Sequence, residues 1–445
     1  MSCDATRVRN TPGMPEDGLR NLLFRSAIGS ISVKIGNAAA VFSISVILAR
    51  VLGPEAFCFY AYVFALISLL TVLAKAGLPE LLVREIARYK VDEDWSTMRT
   101  VLSLGNRAAI LTTTAVVIIS VIVLGANAAD LDTVAVLTYG WAILLIPVFV
   151  FSELRGGAIR GWGHVVAGQL PSILLRPTGL VMLLLLAMTF DYSLSPSVAM
   201  ALHLVAALLA FSFGIVWSRK IFSPLSTSVL TKGNASEWIK KALPFTMLAG
   251  VMVIDSNLDV LMLGWLASDA DVGIYRVASQ TVVVVAFAIS SLNMVVAPHV
   301  TRLFRTGNMA GLQQMVTLSS RVIAVTGIPV AVVLIVWGEV FLATVFGKEY
   351  LAATIPLSIL CVGQIVNLLM GINGTILSMT QYASVSAWII AAGASLNVVL
   401  NIWLIPIYGT SGAAMATASS LAVWNILLSI AVYRRLKIRT TAFGL

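Results

Sequence analysis

Long apolar runs separated by short polar ones divide the chain into twelve stretches. They lie roughly at 28–49, 57–76, 101–125, 134–152, 166–190, 195–217, 242–266, 274–297, 322–346, 352–379, 383–406 and 411–433. Each holds about 20 residues, enough for a helix to cross about 30 Å of hydrocarbon. The pattern predicts an all-α membrane protein with twelve transmembrane helices. Between the second and third stretches, Leu78, Leu81, Leu82, Ile86 and Tyr89 recur at helical spacing, with Arg84, Arg88 and Lys90 beside them. That suits an interfacial helix on anionic lipid, with an ordinary solvated loop as the alternative. Pro147, Pro171, Pro177, Pro244, Pro329 and Pro356 fall within or near span ends and predict bends.

Charge placement orients these spans. Of 29 Lys and Arg residues, twenty-two lie in the terminal tails and the even-numbered loops. Arg50 and Lys348 lie in or beside odd-numbered loops, and Lys34, Lys75, Arg107, Arg176 and Arg276 lie inside spans. The positive-inside rule then puts both termini and the even loops in the cytoplasm of a cell (inner) membrane protein. The odd loops are very short, so no catalytic domain is expected outside. The first 27 residues are polar, contain Pro12 and Pro15, and lack the apolar core of a signal peptide.

A weak self-similarity recurs at an offset of 215. Ala56-Phe-Cys-Phe-Tyr60 stands against Asp271-Val-Gly-Ile-Tyr275, and Ala199-Met-Ala201 against Ala414-Met-Ala416. The expected organisation is an N-terminal tail (1–27), a six-helix lobe (28–217), a basic cytoplasmic linker (218–241), a second six-helix lobe (242–433) and a C-terminal tail (434–445). An even number of spans per repeat preserves orientation. The two lobes should therefore be related by a pseudo-two-fold axis along the membrane normal.

Composition narrows the function. With 59% hydrophobic and 11% charged residues, a soluble globular domain is excluded. The net charge of +9 flanks apolar spans, where it meets lipid headgroups and offers no soluble face to nucleic acid. Three cysteines form no disulfide framework. There is no phosphate-cradling glycine loop and no Cys/His cluster, and His164, His203 and His299 are far apart. The reading is therefore a non-enzyme without a resident cofactor.

Ionisable groups inside spans carry the functional signal, because each is costly unless paired or hydrated. Arg176 lies near the middle of the fifth span, directly before Pro177. Arg276 opens the eighth span, and Lys34 lies in the first. Asp255 and Asp259 share one face of the seventh span. Two arrangements are open. The arginines pair with Asp255 or Asp259 across the two halves as a latch, or the cations line a wet cavity that receives an anion. Arg suits phosphate because its planar fork bonds bidentately. Asn397 and Asn401 share a face of the eleventh span and Thr417 lies on the twelfth. With Asp255 or Asp259 they form a candidate oxygen set for a small cation, against simple interhelical hydrogen bonding. Gln364, Asn367 and Asn373 on the tenth span are candidates for a polar lumen.

Three segments carry a resemblance: Leu48-Ala-Arg-Val-Leu-Gly-Pro-Glu-Ala-Phe57 with Tyr60; Asp259-Val-Leu-Met-Leu-Gly264 through Val272-Gly-Ile-Tyr275; and Leu396-Asn-Val-Val-Leu-Asn-Ile-Trp-Leu-Ile-Pro406 through Gly409-Thr-Ser-Gly-Ala-Ala414. Phe346-Gly-Lys-Glu-Tyr350 adds a fourth. In this order the chain resembles the polysaccharide-biosynthesis (Wzx-like) flippases of the multidrug/oligosaccharidyl-lipid/polysaccharide (MOP) exporter superfamily. The resemblance implies a V-shaped bundle working by alternating access on polyprenyl-diphosphate-linked oligosaccharide. Lys34, Arg176 and Arg276 would be its cationic cavity, and polysaccharide assembly proteins its further partners. It also implies a coupling ion, Na+ or H+, at Asp255, Asp259, Asn397, Asn401 and Thr417. This chain has Asn where a second carboxylate is expected. The rivals are a drug/cation antiporter of the same superfamily and a membrane glycan polymerase or ligase. The first should show acidic and aromatic cavity residues, the second a substantial external loop.

Overall fold

A computed structural model of the protein describes residues 16–190, 194–222, 257–267 and 269–442. Asp255, Pro244 and most of the expected linker lie outside the described residues. The elements in chain order are α1 (Glu16–Lys75), α2 (Leu78–Val91), α3 (Trp95–Asn127), α4 (Thr133–Gly161) and α5 (Val165–Gln169). A π-helical turn (Leu170–Leu175) then leads into α6 (Arg176–Thr189) and α7 (Pro196–Phe222). The second set is α8 (Asn257–Leu266), α9 (Asp269–Arg305) and α10 (Met309–Val345), followed by a 3-10 turn (Lys348–Ala353). It ends with α11 (Thr354–Met370), α12 (Asn373–Ser378) and α13 (Ala383–Leu436). No strand occurs among the described residues.

Eight of these helices are long and apolar enough to cross a membrane. Two of them are hairpins. Helix α1 breaks at Gly53, whose φ of 75° suits a residue without Cβ, and Pro54 follows it. Before the break, Gly29 faces Val166 and Gly36 faces Leu174, so the chain runs alongside α5 and the π-helical turn. After it, Phe59 meets Tyr139 and Lys75 meets Glu153, so the chain runs alongside α4. Helices α4 and α5 themselves fold back on each other, with Gly156 against Gly168. Helix α13 reverses at Gly409 in the same way (φ 55°). Gly393 lies against Trp424 and Asn397 against Ser420 across that turn.

The elements α1–α7 gather around α4, and α9–α13 around α11. The sets meet where α1 packs on α9 and touches the 3-10 turn. In the fifth predicted span, Pro171 and Pro177 lack the amide protons an α-helix needs, and the chain widens into the π-turn just before Arg176. That distortion is the expected bend. At Pro147, Pro329 and Pro356 the helices continue through the proline.

Three expectations change. The 77–100 segment does form a helix, α2, but its apolar face is docked on protein rather than lipid. Leu81, Leu82 and Ile86 are buried, and Gly157 of α4 lies so close that a Cβ there would sit 2.5 Å from the Pro79 carbonyl oxygen. Lys75, which could have reached the membrane surface alone, instead pairs with Glu153 at 2.6 Å. The terminal segments are not simply tails. Helix α1 already begins at Glu16, and after α13 the chain lies as a strap over the ends of α10 and α11. There Gln313 donates to the Arg439 carbonyl (2.9 Å), Ser320 to the Thr440 carbonyl (2.7 Å), and the Ala442 amide to the Leu369 carbonyl (3.0 Å). Ile438 and Thr440 are buried in the groove.

Candidate functional site

The first site is a cavity of about 80 Å³ between the two sets of helices. Its polar lining comes from Asn37 and Ser45 of α1 before the break, Tyr60 after it, Arg176 of α6, His203 of α7 and Arg276 of α9. Positions 37, 41, 45 and 48 recur at three- and four-residue steps, so one face of α1 forms a wall. The cavity thus joins Arg176 and Arg276, which stand 100 residues apart in the chain. Lys34 does not line it. Lys34 is exposed on the same face of α1, one turn from Asn37 toward the basic end.

Among the described residues, no acid is latched to either arginine. No ion pair joins either to Asp259, and Asp255 lies outside the described residues. Arg176 rests over the Phe149 ring, 4.2 Å from its centroid, a cation–π contact that leaves its five donors unspent. Arg276 has no hydrogen-bond or ion-pair partner among the described residues. Behind the arginines stands an aromatic wall that the sequence reading did not single out. Phe64 stacks on His203 at 5.1 Å, and the Tyr60 hydroxyl hydrogen-bonds His203 Nδ1 at 2.9 Å. A lone buried histidine carries no local motif, so only its α7 position beside a polar α1 face could have flagged it.

The second site is a hydrogen-bonded hub around Asp259 of α8. Its Oδ2 accepts from the Tyr275 hydroxyl and the Thr417 hydroxyl, each at 2.7 Å, and its Oδ1 from Asn401 Nδ2, also at 2.7 Å. Asn401 Nδ2 reaches Asn397 Oδ1 as well, at 2.9 Å, and Asn397 Nδ2 lies 3.4 Å from Ser420 Oγ. Asp259, Asn397, Asn401 and Thr417, chosen from the sequence, therefore come together. Tyr275 joins them, one residue before Arg276. All partners of the carboxylate are neutral. Asn401 Oδ1 is buried and accepts from no group among the described residues. Convergent carboxylate, amide and hydroxyl oxygens with one orphan acceptor fit a small hard cation or a proton. The hub also joins helices, as the interhelical hydrogen-bonding reading of these Asn and Thr residues expects. On α11, Asn367 and Gln364 bond each other at 3.0 Å. Asn373 is buried and donates to the Asn425 carbonyl (2.9 Å), a structural role and not a lumen-facing one.

A third feature lies next to Leu48 and Phe57 of the cavity lining. Arg50, a cation in an odd loop against the prevailing charge bias, donates to the carbonyls of Thr344 and Val345 (2.7 Å to the latter). These are orphan acceptors in the last turn of α10, where a cation is favoured. Tyr350 donates to the Ala49 carbonyl at 3.1 Å, and its ring meets Phe57 edge-on at 6.3 Å. Two segments singled out in the sequence, 48–57 and 346–350, thus clasp each other across the helix sets at the end read as external.

The described residues thus form an apolar, all-helical bundle with a cationic cavity between two helix sets. Residues 23–304 match the family model described as polysaccharide biosynthesis protein, and the chain belongs to that family. It is 26% identical over 172 residues to the probable low-salt glycan biosynthesis flippase Agl15 of Haloferax volcanii, a match covering 39% of this chain and 36% of that protein. It is 26% identical over 175 residues to the probable flippase AglR of the same organism, covering 39% and 37%. The chain thus matches little more than a third of the length of these relatives. Among solved structures, an inward-facing multidrug resistance MATE family transporter of the MOP superfamily aligns with a TM-score of 0.72 at 12% identity, over 92% of this chain and 98% of that one. The lipid II flippase MurJ, inward closed, aligns at 0.65 and 13%, over 92% and 87%. Both likenesses show the fold.

Proposed function

We propose that the protein carries polyprenyl-diphosphate-linked oligosaccharide across the cell membrane by alternating access, without covalent chemistry. The observation that carries this reading is the contact between two unlike spaces. The cationic cavity shares Asn37 and Val41 with an apolar groove of about 380 Å³ between α1 and α9, walled by Phe42, Val284 and Phe287. A diphosphate fits the first space and a lipid tail the second. Arg176 and Arg276 would replace water around the phosphates, so the head group need not cross hydrocarbon bare. Lys34 would meet the anion on entry from the basic, cytoplasmic end while the Arg50 clasp keeps the other end closed. Twelve crossings in two six-helix lobes with cytoplasmic termini are part of this proposal. The hairpins at Gly53 and Gly409 and the placement of α8 and α9 on the seventh and eighth predicted stretches support them.

The Asp259 hub is the proposed coupling site for Na+ or H+. Its residues supply the donors and acceptors, and a bound cation would neutralise the carboxylate charge. Moving a charged head group also couples to the membrane potential, at about 2.3 kcal/mol per charge per 100 mV. The drug-antiporter alternative fits less well, because the described lining of the cavity is cationic. A reconstituted vesicle assay following external exposure of the lipid-linked glycan tests the reading. Arg176→Ala should lower the rate at least about tenfold at unchanged protein abundance, and Arg176→Lys should restore only part of it. Undiminished transport by Arg176→Ala removes the cationic cavity from the mechanism.

A further inference from the structure

Away from the central cavity, a second basic pocket of about 310 Å³ lies at the end of the bundle that carries α2. Helices α3 and α7 each pack along α4 rather than along each other, and the pocket occupies the cleft they leave. Leu102 of α3, Leu154 of α4 and Ile215 and Phe222 of α7 give it apolar walls. Arg155 of α4 and Arg219 of α7 supply two positive charges, and no carboxylate lines it among the described residues. Glu153 pairs with Lys75 at 2.6 Å and Glu85 with Arg84 at 2.8 Å. Arg155 is steadied over the Phe211 ring, 4.8 Å from its centroid, and neither arginine has an anionic partner among the described residues. Two guanidinium groups held in one cleft repel each other unless an anion lies between them. Asn106 and Ser218 add neutral hydrogen-bonding groups at the same place.

We propose that this pocket binds the phosphate of an acidic phospholipid headgroup, with the acyl chains against Leu102, Ile215 and Phe222. The location fits, since the cleft lies at the span ends, level with the basic face of α2 where Arg88 and Lys90 are exposed. Basic pockets between membrane helices at that level suit anionic headgroups, and paired guanidinium forks bind phosphate with charge-assisted bonds. The apolar walls separate a lipid from free phosphate as the ligand. This site shares no residue with the central cavity and stands or falls without the transport reading.

The test is native mass spectrometry and thermal unfolding of the full chain in detergent. It is titrated with short-chain phosphatidylglycerol, phosphatidylcholine of equal chain length, or inorganic phosphate. Phosphatidylglycerol should form a one-to-one adduct and raise the unfolding midpoint, and phosphatidylcholine and inorganic phosphate should do neither. The double variant Arg155→Gln, Arg219→Gln should weaken the adduct at least about tenfold, and Arg155→Lys, Arg219→Lys by no more than about threefold. Leu102→Trp, which leaves the charges in place and fills the cleft, should also remove it. Retention by the Gln variant, equal binding of phosphatidylcholine, or reproduction of the shift by inorganic phosphate overturns the proposal.

Discussion

Tyr60 and Tyr275 stand 215 residues apart, at matching places in the two halves of the chain. Each hydroxyl reaches the last helical segment of its own half, but the chemistry differs. Tyr60 bonds His203 on α7, beside two arginines and a cavity. Tyr275 bonds Asp259 and lies 3.1 Å from Thr417 on α13, inside a closed network. Applying the offset to other residues sharpens the contrast. Asp259 corresponds to Ile44, and Arg276 to Ala61, both of which line the N-terminal side of the cavity. Across this offset, arginines line a cavity on one side, and a carboxylate hydrogen-bonded by neutral groups sits where helices converge on the other. Open donors suit an external anion, whereas a hub whose partners are internal suits a small ion that changes how helices hold together.

Asp259→Asn attacks this division most strongly. If the hub couples and the cavity binds, the variant should lose the dependence of transport on sodium or pH and fall at least about tenfold in gradient-driven rate. Binding of a lipid-linked substrate should survive. Identical ion dependence in wild type and variant would end the coupling role. The paired variants Tyr275→Phe and Tyr60→Phe sharpen the comparison. Losing the hydroxyl at 275 removes a donor to a carboxylate, about 1.5–3 kcal/mol, whereas losing it at 60 removes a neutral bond, about 1 kcal/mol. Thermal unfolding should rank them in that order, and only Tyr275→Phe should shift the ion response. Equal shifts from both would erase the distinction between the halves.

The smallest expected effect lies outside the spans. Asp94 caps α3, and hydrogen bonds from Thr97 hold its carboxyl below the usual carboxylate range. A lowered folded-state pKa gives stability that is present above the unfolded value and lost as pH falls through the folded one. Asp94→Ala should therefore lower stability by at most about 1 kcal/mol near neutrality. The gap from wild type should close in acid, below about pH 4. A gap that persists unchanged at pH 3 would show that the cap charge contributes nothing.

Much of the site was legible because polar residues inside apolar spans are rare enough to be conspicuous. Asp259, Asn397, Asn401 and Thr417 were each visible as such, and the i,i+4 step placed both asparagines on one face. Arg176 was marked by its depth and by Pro177. His203 and Tyr60 were not legible as a pair, since aromatic residues are ordinary in membrane helices and nothing in the sequence says which span neighbours which. The fate of α2 was hidden for a similar reason. An amphipathic stripe specifies that one face leaves water, but lipid and protein satisfy that demand equally, and only the close approach allowed by Gly157 and Gly161 selects protein.

By itself the sequence determined the apolar spans, the placement of Lys and Arg around them and the charged residues within them. Those features follow from the cost of exposing backbone and charge to hydrocarbon, a cost that depends only on local composition. Only the tertiary structure decided that Arg176 and Arg276 share a cavity, that Asp259 joins Tyr275 and Thr417 and not an arginine, and that Arg50 clasps α10. These outcomes depend on which helices become neighbours. That is settled by packing between distant segments, where small residues, kinks and shape act together and no single stretch of chain carries the answer.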